Sequence, residues 1–208
     1  MRRTIILVSA SLLSLTACTT TNEGKPQPSS STDSQSSSPN SADGLPGAGV
    51  PKVESPLDTT HFKQAPCDSL KDSQVNALLG SGVTPKPDLN GPGGPGCSWN
   101  TPKVSQAGLS VIFNEVDKVG LTAIYQKKNT TFPFFLPMDP VDGYPMVAYG
   151  MVDERTTHGR CAIAVGTSDQ EIIDVSIAQS EENVGKKDPC AAAHEVAAQV
   201  LTNLRAVR

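Results

Sequence analysis

The run GPGGPGCSW, Gly91 to Trp99, is glycine-dense enough to raise the question of a phosphate-cradling loop. Such a loop aims successive backbone N–H groups at oxygen from the start of a helix, with a Lys or Ser/Thr for the phosphate or its metal. Here Pro92 and Pro95 carry no N–H, no G-K-[ST] follows, and CSW reads as the start of a strand. The run is expected to be a turn-rich connection that presents Cys97 and drops Trp99 into a sheet.

The other chemistry-bearing residues are sparse. The three histidines are His61 near a linker, His158 in the turn TTHG and His194 beside Glu195 on the polar side of a helix. A general base must reach the proton it removes, and none of these settings implies a partner for that work. Asp139 and Asp142 form the nearest thing to a carboxylate pair, but MDPVDGYP reads as turn chemistry. The sequence contains no G-x-S-x-G, S-x-x-K or H-E-x-x-H motif. No catalytic residue, metal site or cofactor is expected, and the chain is read as a non-enzyme.

Cysteine usage says more. Cys67, Cys97, Cys161 and Cys190 are an even set with no C-x-x-C spacing, so a disulfide framework is expected over zinc, with three connectivities open. The favoured pairing is Cys67 with Cys97 and Cys161 with Cys190. APCDSL and DPCAAAHEV each set Pro-Cys at a helix start, while GCSW and GRCAIAV each open a strand with Cys.

Disulfides imply an oxidising compartment, and the N-terminus agrees. MRRTIILVSASLLSLTAC places Arg2 and Arg3 before an apolar run too short to span a bilayer, so residues 1–17 read as a signal peptide. Leu15-Thr16-Ala17-Cys18 resembles the bacterial lipobox, which implies a diacylglyceryl anchor on Cys18 and a place on the extracytoplasmic face of the cell membrane. Residues 18–60, rich in Ser, Thr and Pro, are expected to be a lipidated flexible linker with a coil span of roughly 35–40 Å.

Residues 61–208 are expected to form a single α+β domain. Removing Arg2 and Arg3 from the 17 basic residues leaves 15 against 21 acids, a formal charge of −6. That balance and the lack of basic clusters beyond Lys127-Lys128 and Lys186-Lys187 argue against nucleic acid.

Periodicity supplies the elements. Val75, Leu78 and Leu79 share a helix face that Gly80 closes, and Asp117 is expected to cap a short helix carrying Leu121, Ile124 and Tyr125. CSW, AGLSVIF, PMVAYGMV, GRCAIAVG and EIIDVSIAQ read as strands, and Asp188-Pro189 opens a C-terminal helix striped by Ala193, Ala197, Val200 and Leu204. The expected fold is an antiparallel sheet of about five strands with helices packed on one face and two disulfides.

TFPFFLPM places Phe132, Phe134, Phe135, Leu136 and Met138 together, interrupted by Pro133 and Pro137. The segment is expected either to plug one end of the core or to form a patch or pocket rim for an apolar ligand or a partner.

The order of PCDSL, GCSW, VDGYPMV, GRCAIAV and DPCAAAHEVAAQVL resembles the actinobacterial lipoproteins grouped as domain of unknown function 3558. The resemblance implies an exported, lipid-anchored domain of the cell envelope and brings no catalytic residues. The expected function is a binding or interaction module for an envelope protein. The alternative is a carrier or sensor of an apolar, lipid-like ligand using residues 132–138.

Overall fold

The computed structural model describes residues 44–103 and 107–207. Cys18, the expected signal peptide and most of the expected linker lie outside them.

Two antiparallel meanders build one sheet. The first runs through β1 (Pro85–Asp88), β2 (Gly96–Asn100) and β3 (Gly108–Asn114). The second runs through β4 (Phe134–Val141), β5 (Tyr144–Gly150), β6 (Arg160–Gly166) and β7 (Ile172–Ala178). β7 returns beside β3, and the spatial order is β1-β2-β3-β7-β6-β5-β4.

The sheet therefore has seven strands and not about five. The two additional strands are its edges. β1 carries Pro85 and Pro87, and β4 carries Pro137 and Pro140. Proline has no N–H to donate to a ladder, so it argues against a central strand yet suits an edge. Asp142 and Gly143, both at positive φ (51° and 85°), close the β4–β5 hairpin in the left-handed conformations that a tight two-residue turn favours.

One sheet face is deeply buried. Leu109, Val111 and Phe113 of β3 align with Ile177, Val175 and Ile173 of β7, and these with Cys161, Ile163 and Val165 of β6. Against them packs α4 (Pro189–Ala206) through Ala193, Val196, Ala197, Val200, Leu201 and Leu204. Asp188 caps that helix by accepting from Cys190 N at 2.8 Å, and Pro189 starts it, as its sequence implies.

The shorter helices α1 (Thr60–Gln64) and α2 (Asp72–Leu79) add Phe62 and Val75 to the same core. Disulfides join Cys67 to Cys97 and Cys161 to Cys190, each tying a helical segment to a strand. This is the favoured pairing of the three.

The expectation of helices on one face alone is corrected by α3 (Thr122–Gln126). Leu121 and Ile124 cluster with Val147, Ala164 and Ile172, which alternate with the α4-facing residues and so point from the opposite face. Leu121, not Asp117, occupies the N-cap position; Asp117 instead accepts from Lys127 Nζ at 3.3 Å. With one to two turns, α3 covers only part of its face.

The folded body also begins before His61. Val53 and Leu57 are only 4 % and 6 % exposed and belong to the core. Leu57 N donates to Thr167 O at 2.9 Å, Val53 N to Asp169 Oδ1 at 2.9 Å, and Tyr144 Oη to Ser55 O at 2.9 Å. Lys63 Nζ and Thr59 Oγ1 both meet the Glu171 carboxylate, at 2.6 and 2.9 Å. The low average hydropathy of residues 18–60 hid two well-spaced apolar anchors.

Candidate functional site

Cross-strand register places one residue from each of five strands in a line on the face that α3 leaves open. Ser98 of β2 is opposite Ser110 of β3, Ser110 opposite Ser176 of β7, Ser176 opposite Ala162 of β6, and Ala162 opposite Tyr149 of β5. This line floors an open trough of about 760 Å³. Gly108, Ala178 and Arg160 occupy the next row, and Met151, Val152 and Phe134 stand at its far wall.

A second hollow of about 210 Å³ shares Ser98 and Ser110 with the first and is walled by the glycine loop. Backbone hydrogen bonds fasten the loop to itself and to β3. Gly94 N donates to Gly91 O at 3.0 Å, Pro95 O accepts from Phe113 N at 2.8 Å, and Gly93 O accepts from Glu115 N at 3.0 Å. At Gly94 (φ 118°) a Cβ would lie 2.2 Å from Phe113 O, so the glycine permits the loop to lie against β3.

The serine row Ser98, Ser110 and Ser176 gives the trough floor an uncharged polar strip within a lining that is otherwise largely apolar. Ser110 Oγ and Ser176 Oγ are 2.7 Å apart. One row away, Asp174 accepts from Tyr149 Oη at 2.7 Å and from Asn114 Nδ2 at 2.8 Å. Burial pushes the Asp174 carboxyl above the usual carboxylate range, and the two hydrogen bonds oppose that shift. Burial also pushes the Tyr149 phenol up, aided by the Asp174 charge and by its hydrogen bond.

Charges at the wall neutralise one another. Arg160 lies 3.6 Å from Glu154, which also meets His158 at 3.4 Å. Arg155 chelates Asp153 through Nε and Nη2 at 2.9 and 2.8 Å and lies over the Phe134 ring at 4.7 Å. Met151 and Val152 remain 71 % and 69 % exposed.

The structure divides the Phe-rich segment. Phe132 packs edge-on against Tyr149 with ring centroids 4.8 Å apart, and Phe135 against Tyr125 at 4.9 Å. Both join the small cluster under α3, while Phe134 and Met138 pack against the larger core. Leu136, 39 % exposed, is the residue of the set left outermost on the edge strand. Only Phe134 of the five reaches the trough.

The remaining sequence candidates sit elsewhere. His61 meets Asp68 at 3.0 Å, and His194 Nε2 donates to Asp139 O at 2.8 Å. Asp142 pairs with Arg205. Among the described residues no three His, Cys, Asp or Glu side chains gather in a way that could hold a metal ion, and no helix is long and apolar enough to cross a membrane.

The trough residues Ser98, Ser110, Ser176 and Tyr149 escaped sequence reasoning. Their one signal was the alternation of Asp174 and Ser176 with Ile173, Val175 and Ile177, which marks a strand with one wetter face.

Among the described residues, sheet, helices and trough define a disulfide-clamped α+β domain with an open sheet face that carries a row of serines. The chain belongs to the family described as Protein of unknown function (DUF3558), whose sequence model matches residues 13–203. No curated protein and no solved structure matches the chain.

Proposed function

We propose that the chain is an exported, lipid-anchored binding module of the cell envelope, without catalytic activity, that holds its partner in the trough on the open sheet face. The observation that carries this reading is the trough itself, whose volume of about 760 Å³ lies in the range ligand sites occupy. Its position supports the same reading. Residues 53–59 are held at the β6–β7 hairpin, whereas Arg160, Val152 and Ala178 border the trough at the other end of those strands. Within the described residues the chain enters the domain at the hairpin end, and the trough lies at the far one.

A carrier of an apolar ligand is the second reading. Exposed Met151 and Val152 beside Phe134 favour it.

The test is photo-crosslinking in the native envelope. A photoreactive residue at Val152 is expected to capture an envelope component that the same residue at exposed Glu195, on α4, does not. Equal capture from both positions, or none from Val152, would remove the binding role. Cys18→Ala is expected to move the protein out of the membrane fraction, and unchanged membrane association would remove the anchor.

A further inference from the structure

The trough and the smaller hollow at Gly91–Gly94 are distinct but share Ser98 and Ser110 in their linings. The trough floor crosses the sheet from β2 to β5, which at the usual spacing between strands is roughly 19 Å. It has the length for a linear ligand lying across the strands.

Its floor limits how such a ligand can be held. β2, β3, β7 and β6 each pair on both sides, so their backbone groups are already used. An extended peptide could not add here as another strand, since strand addition needs a free edge. Recognition falls to side chains, and in the floor row Ser98, Ser110 and Ser176 supply hydroxyls, Tyr149 having given its own to Asp174. The Ser110–Ser176 bond uses only one of its two hydroxyl protons, leaving the other to donate and several lone pairs to accept. Hydroxyls that donate or accept by rotating suit a ligand whose groups do the same.

Charge and apolar contacts narrow the class. The floor carries no ion, Arg160 faces Glu154, Arg155 is held by Asp153, and the glycine-loop end contributes one Lys86 and one Asp88. An anionic ligand would find no unshared cation in the floor row. A lipid chain lying over Ser98, Ser110 and Ser176 would strip water from the hydroxyl proton and lone pairs that the Ser110–Ser176 bond leaves free, which is unfavourable. Ala162, Ala178, Phe134 and Val152 offer apolar contacts beside the hydroxyls, matching molecules that present C–H faces and O–H edges together.

Resting on the binding-module reading, we propose that the trough takes a neutral oligosaccharide, laid across the strands on Ser98, Ser110 and Ser176. The experiment uses the full chain in detergent with short neutral glucan, mannan, galactan and arabinan fragments. Charged oligosaccharides, an extended peptide and phospholipid vesicles serve as alternatives.

At least one neutral fragment is expected to bind. Ser110→Ala combined with Ser176→Ala should weaken it about ten-fold with an unchanged melting temperature, the scale of one or two lost neutral hydrogen bonds. Ser110→Thr, which keeps the hydroxyl, should bind nearly as the parent does. Binding only to vesicles, peptide or charged sugars, no binding to any neutral fragment, or full affinity in the double variant would overturn the assignment. Capture of an envelope component from Val152 without sugar binding would leave the module and remove the ligand class; failure of both would remove both.

Discussion

Tyr149 donates to Asp174 at 2.7 Å although β6 lies between their strands. The reach is possible because β6 presents Ala162 and Ala164 on that face, with Ala162 opposite Tyr149 and Ala164 opposite Asp174. Asn114 fills the second carboxylate oxygen from β3, so one acid links three strands. Tyr149→Phe keeps the ring against Phe132 and removes the donor. The expected loss is about 1–3 kcal/mol, from a carboxylate left short of one partner, read by urea denaturation. Unchanged stability would show the bond to be idle.

Asp174 also sets a pH dependence. Its folded pKa is raised, chiefly by burial, so the folded state holds this proton more tightly than the unfolded chain. Its contribution to stability is then fully present below the unfolded pKa and is lost as pH rises through the folded one. Denaturation midpoints of Asp174→Asn and the parent across the acidic range should show the parent losing this component and the variant lacking it. A variant with an identical pH profile would contradict the assignment.

Leu57 lies in a segment whose composition resembles a linker, yet its side chain is in the core. Leu57→Ala is expected to destabilise the domain by about 2–5 kcal/mol, as removal of buried leucine methyls does elsewhere. Chemical denaturation measures it. A change below about 0.5 kcal/mol, the scale of ordinary surface substitutions, would mean that the segment does not hold the fold.

Each disulfide closes a loop of about the same length, with sequence separations of 30 and 29. In the chain-entropy account each should contribute about 3–4 kcal/mol. Paired Cys→Ser variants, Cys67 with Cys97 and Cys161 with Cys190, should lower the melting temperature by similar amounts. Non-reducing peptide mapping should return these two linkages, and a Cys67-to-Cys161 peptide would contradict the fold.

Local signals served well where a residue's role depends on its near neighbours. Asp188-Pro189 opens a helix because a side-chain acceptor and a preset φ act within one turn. The alternation of Ile173, Val175 and Ile177 marks a strand for the same reason. Pro133 and Pro137 argue against a central strand at TFPFFLPM because proline has no donor, and the segment forms the edge strand β4. Val53 and Leu57 misled because composition averages over a window, whereas burial depends on where each side chain lands.

From its order of residues alone, this protein had its cysteine framework, its C-terminal helix, five of its strands and its likeness to the DUF3558 family. These rest on chain-neighbour chemistry and on spacing. The trough was decided by tertiary structure. Ser98, Ser110 and Ser176 stand far apart along the chain, and only the pairing of β2 with β3 and of β3 with β7 sets them in one row. Likewise the short α3 covers part of one face and leaves the rest open, a matter of packing that no single segment encodes.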